Sequence, residues 1–448
     1  WANACTLQTA LAQAQATDEI WVQANVYKPG AARTDSFTLK SGVALYGGFL
    51  GNESSRDARN WRANPTILSG DIDYNDINTS GIVVDSTDIR GANAYHVVVS
   101  TGVNNTAVLD GFTITAGQAN VGNEGSREGG GLYNNGGSPT IRNVVFQGNM
   151  ALADGGGMYN NAGSPTLANV FFIRNSASWG AGLHSNNGGS PNITNAVFFK
   201  NAAANGGGGI YNKESSSATI FNATFYGNHV ATNDGLDGGG ILLENSSITV
   251  TNTILWGNII NPDADESRAQ IAYAGESSSD VADSIVQGGW PGDVYNNSSA
   301  DPRFVNAEGG ILKLQGSSPA IDTGADTGCP AEDIDGIERP QMGPDGNPKC
   351  DIGAYEFIIP GNFAKTAPSN STTNQALSPV LSWAASENAS YYEYCYSSAP
   401  GPCTRWNSVG SNTSVTLSGL APNYTYYWQV RANGVTEANS SNWWSFTT

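Results

Sequence analysis

The chain has 448 residues, 55 of them glycine, and its 13% of charged residues is about half the usual quarter. A net charge of −19 and a pI near 4.4 argue against a polyanion-binding face, and so against nucleic acid as a partner. No apolar run is long enough to span a membrane, and a chain of this length is expected to hold more than one domain.

Residues 1–18 are expected to form an N-terminal capping helix. Thr6 can cap a short helix with Leu7, Ala10, Leu11 and Ala14 on one face. Cys5 precedes it, read either as a small buried residue or as half of an intermolecular bond. The chain opens at Trp1 without a methionine, as a removed export signal or a trimmed chain would leave it. From Glu19 to Ala107 the segments EIWVQANVYKP, SFTLKSGVALYGGF, TILSGDI and YHVVVST look like strands broken by turns.

From Gly129 to Asn258 one pattern recurs five times, beginning GGGLYNNGGSPTIRNVVFQGN and GGGMYNNAGSPTLANVFFIRN. Leu132, Met158, Leu183, Ile210 and Ile241 hold one place, 25 to 31 residues apart, the range of stacking solenoid repeats. Each unit has two short apolar runs and no helical periodicity, and glycine and asparagine suit the corners between strands. Coils stacked at about 4.8 Å make an all-β parallel β-helix over 19–300. The recurrent asparagines should then lie above one another and bond through their amides. One such ladder is expected through Asp110, Asn143, Asn169, Asn195, Asn222, Asn252 and Asp283. A second fixed place is held by Asn149, Asn175, Asn201, Asn228 and Asn258. About ten coils are expected, a rod on the order of 50 Å. The polar stretches 117–130 and 261–270 read as excursions, either solvated connections or ligand loops.

Residues 301–357 break the pattern and are expected to cap the far end of the helix. Cys329 and Cys350 would close a loop there, worth roughly 3 kcal/mol in the chain-entropy model. Asp333, Asp335, Arg339, Asp351 and Glu356 read as an Arg–carboxylate lock, with Asp333, Asp335 and Asp351 as the Ca²⁺ candidates. Pro and Gly mark 358–371 as a linker. Residues 372–448 form a β-sandwich in this reading, with strands at PVLSW, YYEYCY, SVTLSGL, YYWQVRA and WWSFTT and a tyrosine corner near Leu420 and Tyr424. Cys395 and Cys403 would staple a hairpin, and two such bridges fit an oxidising, extracellular location.

These motifs carry resemblances that cover nearly the whole chain. The GGGxY and FxxN halves, the latter as FQGN, FIRN, FFKN and FYGN, resemble the right-handed β-helix repeats of polymorphic outer-membrane proteins and related surface adhesins. They depart at LWGN (255–258) and at GAG (180–182). The opening is similar to that of bacterial secreted β-helix proteins, and SPAIDTG, DIDGIERP and DIGAYEF to their choice-of-anchor Q tail. Residues 366–448 look like a fibronectin type III module, an immunoglobulin-like sandwich. The resemblance implies a surface or secreted protein and is uninformative about activity.

A polysaccharide lyase needs a base beside carboxylates, and a hydrolase two carboxylates across the sugar. The regular coils place Val, Phe, Ile, Thr and Asn on their strands instead. Lys200 and Arg174 share a register, but glycine fills that place at 148, 227 and 257. Asp71, Asp73 and Asp76 read as a turn, and His96, His184 and His229 share no register. His184 stands where other copies have tyrosine, a stacked aromatic place. No enzymatic activity and no cofactor other than Ca²⁺ are expected. The expectation is an extracellular structural or adhesive protein that self-associates into a filament or sheath, or binds glycans or other surface proteins. Of Trp443 and Trp444, one should fill the sandwich core and the other face a partner. The alternative is a carbohydrate-binding or polysaccharide-cleaving β-helix protein, with a cleft of acidic and aromatic side chains. A passive glycoprotein with sequons such as Asn52, Asn192, Asn222 and Asn412 is the third reading.

Overall fold

The computed structural model describes residue 1 and residues 4–122, 127–232, 237–260, 266–290 and 295–448. They form two compact units. The first holds Trp1–Ala300 with Thr327–Ile337 and Ile352–Ala354; the second holds Asp301–Asp326, Glu338–Asp351 and Tyr355–Thr448.

The first unit is a parallel β-solenoid whose coils build sheets of 13, 8 and 6 strands. In one coil Leu132–Asn135 joins the 8-stranded sheet, Thr140–Gln147 the 13-stranded one and Met150–Ala151 the 6-stranded one. The next coil repeats this with Met158–Asn161, Thr166–Ile173 and Ser176–Trp179. Within Thr140–Gln147, Ile141, Val144 and Phe146 point inward and are fully buried. That parity changes at Asn143, which has a left-handed φ of 56° and is skipped in the strand pairing. Asn169, Asn195, Asn222, Asn252 and Asp283 repeat the bend with φ between 48° and 55°. An asparagine tolerates this conformation, so one residue turns the corner without ending the strand.

Side chains then stack by identity. Phe146, Phe172, Phe198 and Phe225 form an inner column with centroids 4.8, 4.8 and 4.4 Å apart and planes within 7° of parallel. The short sheet lines its own corner with Ala119, Ala151, Ala177, Ala203 and Val230. The glycine run is a packing requirement. A Cβ on Gly157 would sit 2.6 Å from the Gly182 carbonyl and 2.9 Å from the Phe172 ring.

Eight strands in the second sheet give about eight coils, short of the ten expected. The shortfall lies before Val108, where residues 50–65 and 70–96 hold 3-10 turns and irregular loops in place of further coils. The helix Leu7–Gln13 does close the N-terminal end, with Leu7 and Leu11 joining the solenoid core. Thr6 Oγ1 caps it by accepting the Thr9 N–H at 3.2 Å. A second short helix, Glu266–Gln270, lies in the stretch read as a polar excursion. The remainder of that excursion, 261–265, and the tip of the other, 123–126, are outside the described residues.

The tail expected to cap the far end is divided. Residues 327–337 and 352–354 lie along the flank of the 13-stranded sheet, not across its end. Ala354 N donates to Thr224 Oγ1 at 3.0 Å, Gly353 N to Asn252 O at 2.8 Å, and Ile334 N to Ala354 O at 3.1 Å. The outward-facing row Val197, Thr224 and Ile254 is buried beneath this strap. An apolar outer row on a strand needs a cover, and the strap supplies it.

In the second unit Val380–Trp383, Lys365–Ala367 and Ser414–Thr416 form one antiparallel sheet. Tyr392–Ser397, Thr425–Ala432 and Trp444–Thr447 carry the other. Leu381, Trp383, Trp428, Val430 and Phe446 fill one core from both sheets. All five expected strands are present. The expected linker 358–371, however, contains the strand Lys365–Ala367, whose first residue is a buried lysine.

Asn201 is fully buried, and its Oδ1 accepts from both Asn175 N and Asn175 Nδ2 at 3.1 and 3.0 Å. Asn201→Ala therefore strands buried donors in the neighbouring coil and should cost about 2–4 kcal/mol. Asn169→Ala, at the half-exposed corner, should cost about 1 kcal/mol, mainly for the left-handed alanine. Urea midpoints of the two variants against the parent will rank them. Equal midpoints would contradict the difference in burial.

Candidate functional site

The repeated residues define two amide columns. In the inner one, Asn149, Asn175, Asn201, Asn228 and Asn258 pass Nδ2 to the next Oδ1 at 2.8–3.0 Å. Each Oδ1 from Asn175 to Asn258 also receives the backbone N–H of the asparagine before it, at 3.0–3.1 Å. Each Nδ2 also reaches a backbone carbonyl one coil back, as Asn201 does to Phe172 O at 2.8 Å. Gln270 Oε1 ends the column at 2.6 Å from Asn258 Nδ2. Buried amides satisfied this fully join coils without leaving a polar debt.

The corner column was the one expected to be a continuous ladder. Asn143 donates to Asp110 Oδ1 at 2.8 Å, Asn169 to Asn143 at 3.2 Å, and Asn195 to Asn169 at 3.0 Å. Asp110 heads it through its carboxylate only. Its backbone pairs with Arg142, and Gly111, with φ 86°, takes the corner place. The buried Asp110 carboxylate is neutralised by Arg59 at 2.7 Å and Arg142 at 2.6 Å. Further along, the amides turn to the strap: Asn195 Nδ2 to Glu332 O at 2.7 Å, and Asn222 Nδ2 to Gly353 O at 3.0 Å. Asn252 reaches Asn222 Oδ1 at 3.5 Å, and Asp283 Oδ1 accepts from Asn296 at 3.1 Å. The corner column thus joins coils at one end and binds the tail at the other. Asn222 is fully buried there, which closes that sequon to a glycan.

An outer aromatic column lies on the 8-stranded sheet. Tyr133 and Tyr159 are 5.6 Å apart, Tyr159 and His184 5.4 Å, and His184 and Tyr211 4.7 Å. His184 pairs in register with both tyrosines and is 2% exposed, so it occupies the aromatic column, but its ring stands edge-on to Tyr159 and tilted to Tyr211 and is not stacked on them. Asp154 lies 3.2 Å from its Nδ1. Burial pushes Tyr159 up to about 12, and burial with the Glu244 contact raises Tyr211 further. Arg174 and Lys200 occupy the left-handed corner that glycine fills elsewhere, with φ of 48° and 52°. Both are corner residues of their coils.

Three concavities bear on chemistry. One, of about 760 Å³, lies at the N-terminal end, lined by Trp1, Cys5, Trp21, Tyr27, Glu19 and Glu53 among others. Both glutamates are committed: Glu19 to Arg56 at 3.1 Å and Trp21 Nε1 at 2.9 Å, Glu53 to the N–H groups of Leu50, Gly51 and Asn52. The second, about 480 Å³, holds Lys28, Asp71 and Tyr74. There Lys28 Nζ pairs with Asp71 at 3.3 Å and lies 3.2 Å over the Tyr74 ring. Asp73 accepts Ala92 N at 2.8 Å, and Asp76 accepts Arg90 N at 2.5 Å and Asn93 Nδ2 at 2.6 Å, which makes the acidic run a turn scaffold. The third, about 370 Å³, lies on the flank beside Trp61, Arg62, Phe171 and Asp335.

The tail residues behave as a lock. Arg339 Nη1 meets Glu356 Oε2 at 3.3 Å and donates to Asp351 O at 3.0 Å. Asp351 accepts Asp322 N at 2.8 Å and Phe357 N at 2.6 Å, and Glu356 accepts Gln341 N at 2.8 Å and Asp351 N at 3.1 Å. Burial and the adjacent Glu356 hold the Asp351 carboxyl well above the usual range. Asp333 Oδ1 accepts the N–H groups of Asp335 and Ile337, both at 2.8 Å. Of the three Ca²⁺ candidates, Asp333 and Asp335 fall in the first unit and Asp351 in the second. Among the described residues no three His, Cys, Asp or Glu side chains converge as a metal site. Cys395 and Cys403 are bonded, Cys329 and Cys350 are also disulfide-bonded, and Cys5 is free and exposed. No described helix is long and apolar enough to cross a membrane.

In the second unit Ala421 N donates to Tyr426 Oη at 2.9 Å, so the tyrosine-corner bond is made by Tyr426, two residues beyond the expected Tyr424. Trp444 packs against Trp428 at 6.2 Å, edge to face, and Trp443 and Trp444 are both half-buried. Two features had no advance signal. Tyr394, Tyr396, Tyr424 and Tyr426 cluster with centroids 5.2–6.4 Å apart, and Tyr396 and Tyr424 are exposed. Lys365 is 3% exposed, donates to Asn442 O at 2.5 Å, and lies 5.5 and 5.7 Å over Trp428 and Trp444. Burial lowers it to about 8, against a partial opposing pull from Glu437. No protein-family model matches the chain, and no curated protein matches it significantly.

The lowered Lys365 sets a pH dependence. Below pH 8 the lysine is charged folded or unfolded, and the folded state bears the burial cost. Between pH 8 and the model-peptide value of 10.5, only the unfolded chain keeps the proton, so stability rises with pH, by up to about 3 kcal/mol. Tyr391, which burial pushes up to about 12, acts oppositely above pH 10. Denaturation of the second unit from pH 7.5 to 9.5 should show the rise in the parent and none in Lys365→Met, which should also be more stable at pH 7.5. A flat parent profile would place the charge in water.

Proposed function

We propose that the chain is an extracellular structural or adhesive protein, a stiff β-helix that self-associates and displays a fibronectin type III-like module. The observation that carries this is how the repeated residues are used. The Phe and Asn columns, the glycine run and the alanine corner all serve coil stacking. Repetition selected for catalysis would instead put acid, base or metal ligands at neighbouring coils. The carboxylates Glu19, Glu53 and Asp71 in the first two concavities are already engaged by arginine, lysine or backbone N–H groups. Four disulfide-bonded cysteines suit an oxidising compartment. The resemblance to surface β-helix repeats and to a choice-of-anchor Q tail supports the same reading. Half-buried Trp443 and exposed Tyr396 and Tyr424 are the contact groups to test first.

A second reading has one specific observation behind it. The N-terminal concavity carries Trp1 and Trp21, with Trp21 stacked on Phe49 at 4.9 Å, beside acidic side chains. Sugar rings stack on such surfaces, so a glycan is the ligand to screen.

Sedimentation and negative-stain microscopy of the purified chain over a hundredfold concentration range address the first reading. Filaments, sheets or a concentration-dependent mass are expected, weakened by Trp443→Ala or Tyr396→Ala if those groups form the contact. A monomer at every concentration would overturn self-association. Glycan binding lost in Trp21→Ala would move the assignment to the second reading.

A further inference from the structure

We propose that copies of this chain join head to tail, the strand Ser278–Ala282 of one copy adding to Glu19–Gln23 of the next, so that the coil ladder continues between molecules. This rests on the self-association reading above and names its contact. The long sheet of the solenoid runs from Glu19–Gln23 to Ser278–Ala282, and among the described residues each of these two strands pairs along one side only. Parallel strands turn alternate residues to opposite neighbours. Ala44 N donates to Asp18 O at 3.1 Å, so Asp18, Ile20 and Val22 face the next coil and the backbone groups of Glu19, Trp21 and Gln23 face outward. Ser278 N donates to Ser246 O at 3.0 Å, so Ser278 and Asp280 face back and Ser279 and Val281 face outward. Tyr27 Oη reaches Gln23 O at 2.9 Å and Asn297 Nδ2 reaches Val281 O at 2.7 Å, and no described strand covers the rest of either edge.

The two edges match in polarity and phase. Every coil pairing in that sheet is parallel, and the column of Glu19 runs coil by coil through Thr140 and Thr219 to Asp280. Setting Asp280 of one copy before Glu19 of the next therefore repeats the step that joins any two coils. The Glu19 and Trp21 N–H groups then meet the Ser279 and Val281 carbonyls. The receiving edge has room, since all of Glu19 to Gln23 lines the concavity of about 760 Å³ at the N-terminal end. The helix Leu7–Gln13 seals the core beside it without pairing to the strand. A bare row of strand amides and carbonyls is the template for another strand. Because each copy offers a different edge at each end, the contact is heterologous and grows a filament. One feature opposes it: the exposed Asp280 falls beside the exposed Glu19, whose charge Arg56 offsets at 3.1 Å.

The test compares the full chain with Glu19→Pro and Ser279→Pro by sedimentation, after melting curves show that each variant folds. Each proline removes one outward N–H, at an edge where proline is tolerated. Each variant alone should stay monomeric, and an equimolar mixture should stop at a dimer, one open edge meeting the other. Asp280→Lys should assemble at lower concentration than the parent. A second measurement does not depend on the prolines. In a Cys5→Ser background, Glu19→Cys with Asp280→Cys places two thiols in one column about 4.8 Å apart between copies, within reach of a disulfide. Air oxidation should give a ladder of covalent multimers, and Glu19→Cys with Ser278→Cys, out of column, much less. A parent that is monomeric at every concentration would sink the self-association reading itself. A parent that assembles, with proline variants that assemble equally well or with no register-specific ladder, would overturn this contact alone.

Discussion

Coil-to-coil hydrogen bonding is the constraint on which the first unit depends. A β-helix coil has no stable existence alone, because both edges of each strand expose unpaired N–H and C=O groups. Stacking satisfies those groups, but only if every coil turns its corners at the same places. In this chain the corners are set by single residues. Asn143 and its counterparts take the left-handed conformation, and the register on either side then matches residue for residue. Once the corners coincide, like side chains must stack on like. The phenylalanine column follows geometrically from the asparagine corner three residues before it. The inner asparagine column follows three residues after the phenylalanine, where a strand alone would leave backbone groups inside without partners.

The two amide columns have the same composition and different physical roles. The inner one is sealed, so its energy lies in what would be lost on removal: buried donors and acceptors with nowhere else to turn. The corner one is half-exposed at Asn143 and Asn169 and keeps hydrogen-bonding capacity for other partners. Asn195 and Asn222 spend it on the tail, which runs back along the flank and covers Val197, Thr224 and Ile254. A strand face apolar on its outer side would otherwise be a patch prone to association. The same sequence position thus acts as a joint early in the solenoid and as a docking seam later, the difference being only whether a chain segment lies against it.

Most of this was legible where the pattern was local and periodic. The spacing of Leu132, Met158 and Leu183 announced the solenoid, and the replacement of tyrosine by His184 announced the aromatic column. Legibility failed in three places for physical reasons. Asp110 looked like the first corner residue because it aligns with asparagine. The corner there is Gly111, and the carboxylate reaches the same hydrogen bond from one residue earlier. The coil count failed because length before Val108 goes into loops, and length alone carries no register. The strap failed because its partners are far away in sequence, 130 residues in the case of Thr224 and Ala354. Nothing near Asn195 signals that its amide will meet Glu332.

The second unit departs from local rules at the positions hardest to read. A lysine opening a strand normally marks an exposed edge, and Pro and Gly around it suggested a linker. Lys365 is nonetheless inside, where its ammonium is held by one backbone carbonyl and the faces of two tryptophans. This arrangement costs stability at neutral pH, since a hydrocarbon side chain would fill the same space without desolvating a charge. What it supplies is direction. The lysine fixes Asn442 against Trp428 and Trp444, and this holds the last strand in register beside Thr425–Ala432. Trp444 packs against the core beside Trp428, and both it and Trp443 stay half-buried.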